Sequence, residues 1–372
     1  MKDEFKIVPF EEKYFHQLKN LIRDGWNSNH ILQKSDDLLR WQYTGFGQMS
    51  GMKVPLLFHD DKLIGFRLMI PIELMLSDHE GNHKVIPSAV STLYFVDANY
   101  RGMKLGLKLQ LYTIEHFGGY FSIASNTKTS APIYKKSGAK MLETMYRYFR
   151  PLTQDISALI VSDCGKEWCI KDIKSIVPPH AITAKELADA WRNTVEGKNI
   201  TSLNKSEDFF QWRYFDSPIY KYAIFGGKEY GGYIVGRVCN LFDANKQKTG
   251  KKVFRILELI PNNQSVWFGH NDAKLSSLID GVCGWAKEKG CMAAEFYMSS
   301  SRFEKVMNEA GFDEINKEEP LASSIMSYFE PCDPGHRLSN VFVQSSQVAD
   351  DFEFENSYFS LSDADLDRPN II

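Results

Sequence analysis

One nine-residue element occurs twice in this chain. Ser35-Asp36-Asp37-Leu38-Leu39-Arg40-Trp41-Gln42-Tyr43 returns as Ser206-Glu207-Asp208-Phe209-Phe210-Gln211-Trp212-Arg213-Tyr214, 171 positions later. Ile7-Val8-Pro9 returns as Ile176-Val177-Pro178 at an offset of 169. Behind each tryptophan come an apolar strand, a polar turn and a second strand: Val54–Phe58 and Leu63–Ile70, then Tyr222–Phe225 and Gly231–Val238. A spacing held over three features implies two related modules. The 372 residues accommodate that division, at a typical domain size of roughly 150 residues. The boundaries fall at 1–152, 153–330 and a tail, 331–372, that packs on the modules.

Each half shows the same order of elements. A strand such as Lys6–Pro9 leads into an amphipathic helix, Glu11–Arg23, with Phe15, Leu18, Leu21 and Ile22 on one face. Ser35 or Asp36 is placed to cap a short helix carrying Trp41. After the hairpin come a further strand (Val90–Val96; Val253–Ile260), a turn, a long helix (Met103–His116; Asp272–Lys289), a buried strand (Tyr120–Ala124; Met292–Tyr297) and a last helix ending at a glycine turn. Strands and helices interleaved in this way predict an α/β fold with a mixed sheet.

Charge and composition exclude several function classes. The net charge of −3 lacks the basic excess of a phosphate-tracking protein, so no nucleic-acid partner is expected. No run approaches the ~18 apolar residues of a membrane helix, and the N-terminus lacks a signal-peptide core. The six cysteines, Cys164, Cys169, Cys239, Cys283, Cys291 and Cys332, form neither a CxxC pair nor a metal-ligand spacing. They read as reduced thiols in a cytoplasmic protein without a metal site.

The stretch with chemical potential is Thr92-Leu-Tyr-Phe-Val96-Asp-Ala-Asn-Tyr100-Arg101-Gly102-Met103-Lys104-Leu105-Gly106. A strand runs through a turn straight into a helix, and free amides at a helix N-terminus favour a pyrophosphate. Gly102 and Gly106 allow close approach to the backbone, and Arg101 and Lys104 add positive charge.

This pattern resembles the cofactor signature of the GNAT acetyltransferases, R/Q-x-x-G-x-G/A after a strand ending in valine. Lys104 departs from it, standing where that family usually has its middle glycine. The resemblance implies acetyl-CoA as acyl donor, with its pantetheine arm along Phe95 and Val96 and its pyrophosphate on the amides of Gly102, Met103, Lys104, Leu105 and Gly106. Ala131-Pro-Ile-Tyr134-Lys-Lys-Ser-Gly138-Ala139 is similar to the family's closing A-x-x-x-Y-x-x-x-G-F, which puts Tyr134 near the CoA sulfur as general acid. Asn126 matches the polar residue before that helix, one position out of register. The second module has Ile260–Gly269 in place of the arginine–glycine turn and Met307 opposite Tyr134, so it is read as a degenerate copy that shapes the substrate pocket or an oligomer interface.

The implied reaction is direct attack of a primary amine on an acyl-CoA thioester, with a base removing the amine's proton and amides near Val96 holding the oxyanion. Glu73, Asp97 and His59 are the candidate bases, unranked. The tandem arrangement, the repeated S-[DE]-D-x-x-x-W-x-Y element and the ending D-A-D-L-D-R-P resemble GNAT-like proteins of bacterial polysaccharide synthesis. That resemblance makes a small-molecule amine, an amino sugar or its nucleotide-linked form, the expected acceptor; separately, a homodimer is a possible assembly. A non-catalytic acyl-CoA sensor and an aminoacyl-tRNA-dependent peptidyltransferase are the alternatives. Trp41 and Trp212 read as core anchors. The tail aspartates Asp363, Asp365 and Asp367 read as solvated or capping residues, with a lesser reading in which the tail supplies an active-site carboxylate.

Overall fold

The computed structural model describes residues 5–47, 51–243, 245, 247–317, 319–327 and 339–367. In the first half the strands are β1 (Phe5–Pro9), β2 (Pro55–His59), β3 (Lys62–Ser77), β4 (His83–Val96), β5 (Tyr120–Ile123), β6 (Lys140–Leu142) and β7 (Tyr146–Pro151). The second half adds β8 (Thr201–Leu203), β9 (Ala223–Gly227), β10 (Gly232–Phe242), β11 (Lys248–Pro261), β12 (Cys291–Met298) and β13 (Asp313–Glu314). The tail carries β14 (Val341–Gln344) and β15 (Ser357–Tyr358). The helices are α1 (Phe15–Leu21), which continues as a π-helical turn over Ile22–Trp26, then α2 (Ile31–Lys34), α3 (Asp36–Thr44), α4 (Leu105–Phe117) and α5 (Ser130–Lys136). Beyond them lie α6 (Ala184–Val195), α7 (Glu207–Phe210), α8 (Ala273–Glu288), α9 (Glu304–Glu309) and α10 (Leu321–Ser324).

Two mixed sheets result. The first runs β1-β2-β3-β4-β5-β14-β6, with β8 attached to β3 and β15 to β8; the second runs β13-β7-β12-β11-β10-β9. Sheet membership therefore does not divide the chain at residue 152. Strand β7 leaves the first sheet and lies between β12 and β13, pairing Phe296 with Tyr148 and Asp313 with Phe149. In return β14 fills the place between β5 and β6, pairing Val343 with Phe121 and with Lys140. Each sheet is completed by a strand from the far part of the chain.

The repeated tryptophans meet. Trp41 and Trp212 stack with ring centroids 5.0 Å apart, and each indole N–H donates to the other's backbone carbonyl at 3.1 Å. Ser35 and Ser206 cap the two helices, their hydroxyls accepting from Leu38 and Phe209 amides. The other match breaks down. Ile176–Pro178 forms no strand but crosses α8, where the Val177 amide donates to the Gly281 carbonyl. A Cβ on Gly281 would lie 2.5 Å from Val177, and one on Gly284 would lie 2.3 Å from the Ser175 carbonyl. Those glycines take the segment away from the sheet edge.

The tail aspartates are buried, which corrects the expectation that they are solvated. Lys205 donates to Glu258 at 2.6 Å and to Asp363 at 2.7 Å. Tyr214, Tyr358 and Ser362 also donate to Glu258, at 2.9, 3.0 and 3.0 Å. Asp367 pairs with Arg213 and accepts from Tyr222. Asp365 is buried too. Capping does hold for Asp363, which accepts from the Ser360 amide at 2.8 Å. Phe359 stacks on Phe121 of β5 at 4.4 Å. Cys332 and the Arg368-Pro369 end of the tail lie outside the described residues. Among the described residues no cysteine forms a disulfide. Among the described residues no helix is long and apolar enough to cross a membrane.

Two outcomes follow for stability. Trp41→Phe keeps a stacked ring but deletes one N–H donor and should cost about 1 kcal/mol. Trp41→Ala should cost about 3 kcal/mol, both read by chemical denaturation. Burial pushes the Asp363 carboxyl up to about 6. A raised acid pKa means the folded chain holds more protons than the unfolded one between roughly pH 4 and 6, so this group's contribution improves as pH falls through that window. Relative to Asp363→Asn, the wild-type chain should gain roughly 1.4 kcal/mol per pH unit on acidification there. A stability difference that stays flat with pH would refute the assignment.

Candidate functional site

The site begins where β4 parts from its neighbours. Strands β4 and β5 pair only at Ala89–Tyr120 and Val90–Phe121, so among the described residues the β4 edge beyond Ser91 has no strand partner on that side. The Ser122 hydroxyl spans the start of the gap, donating to the Ser91 carbonyl at 3.1 Å. On the other side, β3 pairs Arg67 with Tyr94 but Met69 with Ser91. Thr92 and Leu93 thus face Leu68 alone, a bulge that re-aims the side chains of β4. At the end of β5, Ala124 takes a left-handed φ of 53°. It is held there by Asn340, whose carbonyl accepts from the Ala124 amide and whose side chain brackets Ser125.

Beyond β4 the chain turns through Asp97–Tyr100 into α4. The helix begins at Leu105, two residues later than the sequence pattern predicts, because Lys104 is left-handed at φ 58°. Gly102 is also at positive φ, 87°. Lys104 therefore holds the conformation for which glycine is the usual residue. No side chain caps α4, and Arg101 through Lys104 are exposed. The Arg101 side chain donates to the Val96 carbonyl at 3.2 Å and lies 5.9 Å from the Phe95 ring. Uncapped amides, two cations and a helix N-terminus form an open anion cradle.

The two glycines serve different needs. A Cβ on Gly102 would meet nothing within 4 Å, so φ alone constrains it. A Cβ on Gly106 would sit 3.0 Å from the Tyr94 hydroxyl, which donates to the Gly106 carbonyl. The absence of a side chain at Gly106 thus makes room for the Tyr94 hydroxyl.

Tyr134, on α5, is buried. Its hydroxyl lies 3.4 Å from Ser91 Oγ, at the head of the β4–β5 gap. Phe342 of the tail strand packs edge-on against it at 5.2 Å. Met103 is exposed, Leu105 buried, and Phe95 and Val96 lie on opposite faces of β4, with Phe95 packed on Phe66. Asn126 forms a turn, its side-chain oxygen accepting from the amides of Lys128 and Thr129.

The three candidate bases do not gather here. Glu73 accepts from Asn204 of the second half and lies four residues along β3 from Met69, about 13 Å at the rise of a strand. His59 bonds the Tyr100 hydroxyl and stacks on Phe5 at 4.8 Å. Asp97 caps the turn, accepting from the Asn99 amide.

Several residues escaped the sequence pattern. Arg67 is wholly buried beneath Tyr94, Tyr120 and Tyr134, with its guanidinium carbon 5.2, 4.6 and 5.2 Å from the three rings. It donates to Ser91 Oγ at 2.9 Å and to Gln110. Gln110 in turn donates to Tyr120 at 2.9 Å and to Ser137 at 3.1 Å. One charge in the apolar run Leu63–Ile70 was the available signal. On the other face of β4, the π-helical turn brings Gly25 against Phe95, where a Cβ would lie 2.6 Å from the ring, and leaves Trp26 half-exposed beside it.

The corresponding end of α8 in the second half is closed. Its N-cap, Asp272, accepts from the amides of Lys274 and Leu275, so a carboxylate already occupies the place an anion would take. Met307, facing the apolar core from α9, supplies no hydroxyl.

Replacing Lys104 tests the strained start of α4. Lys104→Gly should stay within about 0.5 kcal/mol of wild type, because relief of the left-handed strain offsets the added freedom of the unfolded chain. Lys104→Val should cost about 1 to 2 kcal/mol, both measured by chemical denaturation.

No protein-family model matches this chain, and no curated protein matches it. Solved structures do. A GCN5-related N-acetyltransferase from Kribbella flavida aligns at 11% identity and TM-score 0.51, over 92% of this chain and 71% of that one. A probable N-acyltransferase from Enterococcus faecalis V583 aligns at 10% and 0.52, over 93% and 73%. The N-myristoyltransferase of Saccharomyces cerevisiae with bound myristoyl-CoA aligns at 10% and 0.52, over 92% and 82%. At such identities the likeness establishes the fold: two mixed α/β sheets of the GNAT type.

Proposed function

We propose that this protein is an acyl-CoA-dependent N-acyltransferase of the tandem-module type, with its donor site in the first half. The observation that carries the reading is the contrast between two helix N-termini on similar scaffolds. That of α4 is uncapped, exposed and flanked by Arg101 and Lys104, whereas that of α8 is closed by Asp272. The cradle suits a pyrophosphate, and the unpaired β4 edge from Ser91 to Val96 suits the amides of a pantetheine arm. An arm laid along that edge brings its sulfur toward Ser91 and the Tyr134 hydroxyl. The chain's own residues would then bind the phosphates through Gly102–Leu105, align the arm along Phe95 and Val96, and offer the Tyr134 proton to the departing sulfur.

Acetyl-CoA is the donor we propose, and a primary amine the acceptor. An amino sugar heads the acceptor screen on the strength of the sequence resemblance. The elements that carry it serve as scaffold here: Trp41 and Trp212 stack together, while Asp363 and Asp367 close ion pairs. The acceptor's proton is assigned to no residue, since Glu73, His59 and Asp97 are engaged elsewhere.

Calorimetric titration with acetyl-CoA tests the donor site. Wild type should bind near one equivalent per chain, and Arg101→Glu/Lys104→Glu should weaken binding by tenfold or more, since both side chains are exposed and their reversal leaves the core intact. Equal affinity in the two proteins would remove the cradle from the donor site. Tyr134→Phe should slow thiol release from acetyl-CoA by about 10²-fold or more while leaving affinity within a fewfold.

A further inference from the structure

A fully buried arginine ordinarily has a carboxylate beside it, because an unpaired charge in a low-dielectric interior is expensive. Four other buried arginines of this chain follow that rule. Arg147 and Arg255 share Glu295, Arg150 pairs with Asp280 at 2.8 Å, and Arg213 pairs with Asp367. Arg67 breaks it. Among the described residues no carboxylate bonds it, and its Nη2 has no hydrogen-bond partner at all. The groups facing it are Tyr94 and Ser91 from β4, Tyr120 from β5, Gln110 from α4 and Tyr134 from α5. Burial pushes the Tyr94 hydroxyl well above its usual range and that of Tyr120 up to about 12. Neither supplies a negative charge near neutral pH. The cage is held by ring faces and neutral hydrogen bonds, and one guanidinium nitrogen, Nη2, is left unbonded.

We propose that Arg67 is the positioning residue of the donor site: through Ser91 it holds the Tyr134 hydroxyl at the head of the β4–β5 gap, and its uncompensated charge favours the thiolate of CoA there. The inference rests on the reading of that gap as the donor site. In the reaction the amine nitrogen bonds the thioester carbon, and the carbon–sulfur bond breaks with its electron pair on sulfur. The Tyr134 hydroxyl shares its proton with that sulfur in a hydrogen bond as the charge develops, the proton lost by the amine passes to solvent, and CoA leaves as the thiolate. The anion missing from the resting cage is thus the one formed when the acyl group leaves. The chain of contacts is direct: Arg67 Nε to Ser91 Oγ at 2.9 Å, then Ser91 Oγ to Tyr134 Oη at 3.4 Å. Arg150, paired with Asp280, also leaves its Nε unbonded, so what sets Arg67 apart is the missing carboxylate together with the link to the Tyr134 hydroxyl.

The test compares binding of CoA with that of desulfo-CoA, which keeps the pyrophosphate and the arm but has no thiol. If the site selects thiolate, the affinity ratio of CoA to desulfo-CoA rises about tenfold per pH unit between the bound and the free thiol pKa, while desulfo-CoA affinity stays level. The bound thiolate also gives its own ultraviolet absorbance. Arg67→Met should flatten the ratio and remove the absorbance without weakening desulfo-CoA binding more than a fewfold. Arg67→Lys, which restores the charge, should recover most of the pH dependence. A ratio independent of pH in the wild-type protein would overturn the proposal, even if Arg67→Met does not fold. So would an unchanged ratio in a folded Arg67→Met protein. Failure of wild type to bind desulfo-CoA at all would overturn the donor-site reading itself, and the role of Arg67 with it.

Discussion

The structure depends on an exchange of strands that neither half can do without. Strand β7 is synthesised with the first half and completes the second sheet; β14 comes from the tail and fills the first between β5 and β6. Each transfer is accompanied by buried charge. Arg147 on β7 reaches Glu295 on β12, which also holds Arg255 on β11, so three adjacent strands share one ion cluster. Arg150, also on β7, reaches Asp280 on α8. The tail that follows β14 brings Asp363 and Asp367 to Lys205 and Arg213. Buried pairs add little net stability over apolar packing, yet breaking one leaves an uncompensated charge that costs several kcal/mol. They therefore penalise wrong registers of the exchanged segments more than they strengthen the right one.

Where the halves face each other, the relation is close to a two-fold. Trp41 and Trp212 make the same two hydrogen bonds in opposite directions across their stack, and Phe46 fills the space beside them against Phe209 and Trp212. The same sequence element thus forms one contact from both sides, which is a reason for a chain to keep both copies. The symmetry stops at the sheet edges. The first sheet has β1, while the matching segment of the second half runs over the glycines of α8. The gap between β4 and β5 belongs to the first half, where Phe342 and Asn340 of the tail support it.

Features governed by neighbours in sequence were legible before the structure. Ser35 caps its helix because it is a short polar residue just before an apolar period. The Arg101–Gly106 turn was readable because its chemistry lies within six residues. What escaped depends on partners far away in the chain. Nothing local in Tyr146–Pro151 says that it will pair with residues near 295 and 313. Asp363, Asp365 and Asp367 alternate with small and apolar residues as a solvated segment does, and only Lys205 and Arg213 reveal their burial. That Gly106 also makes room for the Tyr94 hydroxyl was not legible, because Tyr94 lies on the preceding strand. Arg67 was visible as a lone charge in an apolar run, but its lack of an anion becomes apparent only when every neighbour is known.

The distribution of uncompensated positive charge separates the two halves more sharply than their folds do. Around the second sheet these positive elements meet carboxylates: Asp272 at the start of α8, Glu295 between Arg147 and Arg255, Asp280 at Arg150, and Glu258 with Asp363 at Lys205. In the first half the start of α4 meets none, Arg101 and Lys104 face solvent, and Arg67 sits in a neutral cage. A helix terminus in water loses little by lacking a cap, but a buried guanidinium loses a good deal. Three aromatic faces return part of that loss, at up to about 2 kcal/mol for each well-desolvated ring. The remainder is a cost that binding of an anion beside Arg67 would offset. Selective retention of that cost on one side of an otherwise similar scaffold is the physical argument for placing an anionic ligand there.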